Sequence, residues 1–189
     1  MVEPKGKLTK DNLCYWLLVA NGCDNFIYKN FFPLWERAKN NELDKWLLNP
    51  VKTVALVIML DQFTRCIYRD TPQMFSMDER TLEIVELALE KNFDKQLAPA
   101  MRLWLYLPLI RKEDVAVSCK LQSLVEELVV ETDPEEKEFW GSVMNYIQVH
   151  QQILKQHGRY PMINEALGRK STFLEALWLR TNPSDFSYF

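Results

Sequence analysis

Glycine is scarce in this sequence, with only five residues among 189. β-Rich architectures depend on many tight turns, and glycine is the residue that adopts positive φ there without strain, so such folds are disfavoured. Strong helix formers such as leucine, lysine, glutamate and alanine dominate instead. No segment shows the sustained alternation of polar and apolar residues that is typical of a half-buried strand. We therefore expect an all-α fold with no sheet.

Sequence motifs for metals, cofactors and activated nucleophiles are also missing. Cys14, Cys23, Cys66 and Cys119 show no CxxC spacing, and the chain has only two histidines. This pattern indicates reduced thiols and no metal site. Glycine-rich phosphate-binding loops, HExxH and GxSxG do not occur either. We predict no cofactor, and the sequence leaves open whether the protein is an enzyme.

The sequence has neither a long apolar run nor an excess of positive charge. No stretch approaches the roughly 20 apolar residues of a membrane span, and the charged opening MVEPKGKLTKDN lacks the apolar core of a secretory signal. The formal net charge is −3 at pH 7, without the clustered lysine and arginine of a nucleic-acid binder. We expect a cytoplasmic protein that binds neither membranes nor nucleic acids.

Apolar periodicity and capping residues predict about eight helices within a single all-helical domain of residues 11–182. Residues 1–10 are expected to form a flexible N-terminal arm and residues 183–189 a C-terminal tail. Short connections favour a bundle or stack of antiparallel helices. The expected helices span residues 11–20, 26–39, 50–69, 76–92, 100–111, 113–131, 133–157 and 172–181.

Short local signals set several of these boundaries. Ser76–Glu79 and Thr172–Glu175 each fit a capping box, in which the first side chain bonds the backbone three residues on. Asn21-Gly22 is expected to end the first helix. An interruption is expected near Pro33, and Pro108 should kink or end its helix, because proline cannot donate the helical hydrogen bond.

The central helix, residues 50–69, carries charge on an otherwise apolar stripe. Asn49 followed by Pro50 is a suitable cap and first residue. Steps of three and four residues from Val54 lead to Asp61 and Arg65, which can pair on one helix face. If this stripe is buried, both charges need partners, because an unpaired buried charge is strongly destabilising.

Two further helices also place polar residues on apolar faces. One carries Arg102 as its single charge between Leu97 and Ile110, and the other carries His150. These residues and their polar neighbours form one candidate site, in which His150 and Asp61 are the candidate acid–base groups. Its predicted ligand-binding residues are Arg65, Arg69, Arg102, Tyr106, Arg159, Asn164 and Arg169.

This set of residues has two interpretations. Arginine pairs well with buried carboxylates, so each arginine can be a structural lock, and His150 can be a satisfied core histidine. Alternatively, several arginines around Asp61 and His150 would suit a small anionic ligand bearing phosphate or carboxylate. His150 would then be the general acid or base, since histidine titrates near neutral pH.

Three segments resemble the "domain of unknown function 924" family, a mostly bacterial group. They are LDQFTRCIYR from Leu60, MRLWLYLPLIRKED from Met101 and HQQILKQHGRYPMINEALGRKST from His150. The resemblance implies an all-helical, TPR-like arrangement and no established activity. It covers the candidate site residues and also Glu113. The sequence differs from the family pattern at Thr64, Cys66, Met162 and Ile163.

Two functions are therefore predicted as alternatives. The first is a TPR-like module that binds another protein or a peptide, for which the aromatic segment Phe186–Phe189 offers modest support. The second is an enzyme or binding protein for a small anionic ligand held by the Arg/His cluster. Arginines that are all saturated by protein carboxylates and carbonyls would count against the second alternative.

Overall fold

The computed structural model describes residues 20–182, and within this range the chain is all-α, as predicted. It forms seven α-helices without any strand, and short 3-10 turns join them. In chain order these are α1 (Ala20–Lys39), α2 (Pro50–Ile58, continued by a π-helical turn at Met59–Phe63 and by Thr64–Ile67), α3 (Asp78–Glu90), α4 (Pro99–Tyr106), α5 (Val115–Glu131), α6 (Lys137–His157) and α7 (Phe173–Thr181). None of these helices is long and apolar enough to cross a bilayer.

Helix α1 differs from the prediction at both of its expected breaks. The helix is continuous through Gly22 and Pro33. The aromatic side chains of α1 hold it against α2: the indole of Trp35 donates to the hydroxyl of Thr64 over 2.8 Å, and Trp35 is fully buried. This packing, next to Pro33, outweighs the local preference of proline to end a helix. The predicted helix 11–20 lies outside the described residues except for Ala20, as do the predicted arm 1–10 and tail 183–189.

Several capping predictions are confirmed, and one is wrong. Asn49 caps α2 by accepting from the backbone N–H of Lys52 at 3.1 Å, and the capping box at Thr172 is present at the start of α7. The capping box at Ser76 does not form. Ser76 has φ −63° and ψ −19°, which is a helical conformation, whereas a capping residue needs extended backbone to turn its hydroxyl towards the helix. Helix α3 begins without a side-chain cap.

The main core lies between α2, α3, α4, α5 and α6. The long helices α5 and α6 pack along each other, and the first part of α2 packs on α4. Pro108 lies where α4 gives way to the 3-10 turn Leu107–Arg111, as predicted for a residue that cannot continue the helix. Leu56, Leu60 and Leu121 are completely buried in this apolar core.

A second, smaller apolar cluster forms between the last turns of α6 and the loop that follows it. It contains Ile153, Leu154, Tyr160 and Ile163, and Trp178 of α7 packs against it. Helix α6 ends at Gly158, whose φ of 72° is the left-handed conformation that glycine adopts without strain. The chain then runs through the 3-10 turn Pro161–Ile163 and the loop to Thr172. Helix α7 therefore packs on this smaller cluster, which we call the satellite cluster.

Candidate functional site: arginines paired with carboxylates

The centre of the predicted site is the ion pair between Asp61 and Arg65. Asp61 is only 2% exposed and lies on the π-helical turn of α2. One terminal nitrogen of Arg65 lies 3.1 Å from Asp61 Oδ1, as the i,i+4 spacing predicts. The other terminal nitrogen donates to both carboxylate oxygens of Asp78, at 2.9 and 3.0 Å. Arg65 is thus shared by two carboxylates, one from α2 and one from the first residue of α3.

Arg111 is a buried member of this cluster that sequence reasoning did not single out. Its Nε lies 3.5 Å from Asp61 Oδ1. Burial alone would raise the pKa of Asp61, but the positive charges of Arg65 and Arg111 outweigh burial and hold that pKa below its usual value. The polar sequence Arg111-Lys112-Glu113-Asp114 gave no sign that its first residue is buried. Two arginines therefore face Asp61 and Asp78, and the cluster is balanced in charge.

His150 lies beside this cluster in an environment of aromatic rings. Its ring is 2% exposed and lies 4.2 Å from the ring of Tyr146 and 5.7 Å from that of Tyr160. Its Nδ1 is 2.8 Å from the carbonyl oxygen of Tyr146, so Nδ1 carries the hydrogen that this carbonyl accepts. Burial lowers the pKa of His150 to about 4. The ring is therefore neutral at pH 7, as expected of a core histidine.

The loop after α6 is held by two arginines, each of which binds a carboxylate with two nitrogens. Arg159 donates to Glu175 on α7 at 2.6 and 2.8 Å. Arg169 donates to Glu113 at 2.6 and 2.9 Å. Glu113 also accepts the backbone N–H of Tyr160 at 2.7 Å. These contacts tie both ends of the loop to the rest of the fold.

Asn164 lies inside the same loop and is almost completely buried. Its amide donates to the hydroxyl of Ser171 at 3.1 Å and reaches Glu175 at 3.5 Å. The carboxylate of Glu175 therefore has three neighbours in the loop: Arg159, Asn164 and the backbone N–H of Thr172. The hydrogen bonds from Arg159 hold the pKa of Glu175 at about 2, so this carboxylate is ionised at neutral pH.

Arg102 and Tyr106 form a separate group on α4. Arg102 donates to Glu131 at the end of α5 and, at 3.3 Å, to the hydroxyl of Tyr106. Tyr106 in turn donates to the buried carboxylate of Asp94 at 2.8 Å. Burial raises the pKa of Tyr106 to a value far above neutrality, so the phenol keeps its proton. Arg102 is thus paired with Glu131, and Tyr106 links it to Asp94.

Arg69 belongs to a further group near the start of α1. It donates to both carboxylate oxygens of Asp24, at 2.6 and 2.8 Å. The structure therefore distributes the predicted single site over several places. Asp61 and Arg65 pair with each other, and Tyr146 lies between this pair and His150. Tyr160 packs on His150 and joins it to the loop that contains Arg159, Asn164 and Arg169. Arg102 with Tyr106, and Arg69, each bind carboxylates of their own.

The residues that sequence reasoning missed are mainly the acidic partners of the predicted arginines. Asp24, Asp78, Asp94 and Glu131 were not singled out, and Glu113 and Glu175 were noted as motif or capping residues rather than as ion-pair partners. In the described part of the chain, no group of three or more His, Cys, Asp or Glu residues could hold a metal ion.

A family model described as "Bacterial protein of unknown function (DUF924)" matches residues 7–183. The chain belongs to the DUF924 family. Among solved structures, the protein of unknown function ATU0120 from Agrobacterium tumefaciens is similar to it, with 26% sequence identity, a TM-score of 0.74, and coverage of 95% of this chain and 90% of that chain. None of the curated proteins compared with this DUF924 protein is significantly similar to it.

The departures of this DUF924 protein from the family pattern have packing roles. Thr64 accepts from Trp35 and donates to the carbonyl of Leu60 at 2.6 Å. Cys66 is buried as a thiol, and burial raises its pKa to about 12. Ile163 belongs to the satellite cluster, and Met162 packs against that cluster. At positions 162 and 163 the chain thus makes apolar contacts.

Proposed function

We propose that this DUF924 protein is a helical module that binds another protein or a peptide, and that α7 provides its docking surface. The observation that carries the proposal is the exposure of three large apolar side chains on one face of α7: Phe173 is 82% exposed, Leu174 68% and Leu177 49%. Contiguous apolar groups of this kind are unfavourable in water and commonly mark interaction sites. We call Phe173, Leu174 and Leu177 the α7 face.

The ion pairs of the loop support this proposal because they fix the orientation of α7. Arg159 binds Glu175 on the side of α7 opposite the exposed residues and also donates to the carbonyl of Lys170 at 3.0 Å. The capping box at Thr172 holds the first turn. A helix that is already ordered loses little conformational entropy when a partner binds. The arginines then act by positioning the docking surface.

The alternative function, binding of a small anionic ligand, receives less support. Each of the five predicted arginines binds a carboxylate of the protein: Arg65 binds Asp61 and Asp78, and the others bind Asp24, Glu131, Glu175 and Glu113. A phosphate or carboxylate ligand would have to displace one of these acids from its arginine. That replacement is costly for a buried carboxylate. The pairing instead favours the structural interpretation of the arginines.

The proposal can be tested by removing the apolar groups of the α7 face. The double variant Leu174→Ser, Leu177→Ser should fold normally, because neither side chain contributes to the core. Proteins that are cross-linked to the wild-type chain in native extract should be lost with this variant. Val130→Ser on α5 is the matched control, since Val130 is 86% exposed and lies on another helix. A set of cross-linked proteins that is identical for wild type, double variant and control would refute the proposal.

A further inference from the structure

The α7 face is bounded along the chain by basic residues. Lys170 lies two residues before Thr172, the capping residue of α7, and Arg180 lies in the last turn of the helix; both are exposed. Neither forms an ion pair with another described residue, in contrast to Arg159 and Arg169, which are neutralised by Glu175 and Glu113. The single acid of α7 is Glu175, and it is buried beneath the helix. The surface of α7 is therefore apolar and positively charged, although the whole chain has a net charge of −3.

This distribution of charge disfavours a second copy of the chain as the occupant. In an antiparallel pair of α7 helices about a twofold axis, Arg180 of one copy would lie near Lys170 of the other. In a parallel pair, each basic residue would lie near its own equivalent. Both arrangements bring like charges together at the edge of an apolar contact, which selects against the pairing.

We infer that the partner of the α7 face is an amphipathic helical segment of another protein, with apolar residues at helical spacing flanked by acidic ones. This inference rests on the proposed function. The three side chains follow the i, i+1, i+4 spacing of one helix face, and such a ridge packs into the groove of another helix. Glutamate or aspartate beside the partner's apolar stripe would face Lys170 and Arg180. Charge complementarity of this kind sets orientation and excludes wrong partners.

The size of the surface indicates what kind of contact to expect. Helix α7 has nine residues, so it is about 13 Å long at a rise of about 1.5 Å per residue. It can contact about two turns of a partner helix, which makes a small interface. Interfaces of this size are weak or transient unless further contacts are added. The measurement must therefore use probe concentrations that extend well above the micromolar range.

The experiment uses two fluorescent helical peptides with the same leucine stripe, one flanked by glutamates and the other by lysines. Anisotropy titrations with the full chain should show that the glutamate peptide binds at least about tenfold more tightly at low salt, and that this preference shrinks as salt screens the charges. The variant Lys170→Glu, Arg180→Glu should reverse the preference. Leu177→Ser should weaken binding of both peptides, and Val130→Ser should leave it unchanged.

The other outcomes separate this inference from the proposed function. Equal binding of both peptides, lost in Leu177→Ser, would overturn the acidic partner and leave the α7 face as a docking surface. Binding that is insensitive to Leu177→Ser would overturn both. Dimerisation that is abolished by Leu177→Ser, seen by sedimentation of the free chain, would make a second copy the occupant and overturn the inference. If the peptides bind only after residues 183–189 are removed, the occupant is the chain's own C-terminal segment, and the inference is overturned.

Discussion

Acidification from pH 6.5 to pH 4 should destabilise the protein through the burial of His150. The pKa of this histidine is about 4 in the folded chain, against 6.5 for an ordinary histidine. Between these two values the unfolded chain binds a proton at His150 and the folded chain does not. The free energy of unfolding therefore falls as the pH falls. A difference of about 2.5 pKa units corresponds to about 3 kcal/mol when the pH reaches 4.

The structure explains why the folded chain resists this proton. His150 is almost completely buried, and the nearby charge of Arg111 repels a second positive charge. The hydrogen bond to the carbonyl of Tyr146 favours the protonated ring, but burial outweighs it and the pKa stays low. The rings of Tyr146 and Tyr160 that pack on it cannot solvate an imidazolium as water does. The stabilising contribution is thus present at neutral pH and is lost on acidification.

The assay is urea unfolding at a series of pH values for the wild type and for His150→Asn. Asparagine keeps an N–H near the position of Nδ1 but does not titrate in this range. The difference in unfolding free energy between the two proteins should change by about 3 kcal/mol between pH 6.5 and 4. His157→Asn, at the other histidine, is the control. Its free energy of unfolding should keep the pH dependence that is due to His150. If His150→Asn keeps the same pH slope as the wild type, the reasoning is refuted.

Asp78→Asn should lower the free energy of unfolding by about 3 kcal/mol, because Arg65 keeps only one of its two carboxylates; urea unfolding measures this, and a neutral effect would contradict it. Glu113→Gln should lower the free energy of unfolding by about 1 kcal/mol, since its ion pair with Arg169 is partly exposed. It should also speed amide hydrogen exchange in residues 158–172 but not in α5. Phosphate and dicarboxylates should not raise the melting temperature beyond a chloride control; a rise that Arg102→Ala abolishes would restore the anionic-ligand hypothesis.

The helices were largely predictable from the sequence because their signals are local. Asn49, Gly158 and Thr172 act on backbone groups within a few residues, so their neighbours in the sequence reveal them. Ser76 was misjudged because a preceding 3-10 turn places it in a helical conformation. Pro33 was misjudged because the packing of α1 on α2 decides the outcome there, and that packing is not visible in a window of sequence.

The sequence indicated several of the buried charged residues but, apart from the pair of Asp61 and Arg65, neither their acidic partners nor their pairing. The stripe from Val54 to Arg65 correctly indicated buried charge, since a charged residue on an apolar face has few other places to lie. The acid that binds Arg69 is 45 residues away, and the acid that binds Arg169 is 56 residues away. Single-sequence reasoning has no means of joining such distant positions. For that reason the arginines could equally be read as ligand-binding residues before the fold was known.

The long separation in sequence between Glu113 and Arg169 has a consequence for how the family can vary. Replacing Arg169 alone would leave Glu113 without its cation, and replacing Glu113 alone would leave Arg169 without its carboxylate. Each such step passes through a less stable protein, so the two positions are expected to change together among relatives or not at all. The arginines of a shared motif can therefore be maintained because their ion pairs stabilise the fold. Relatives that carry the same arginines can then differ completely in what they bind.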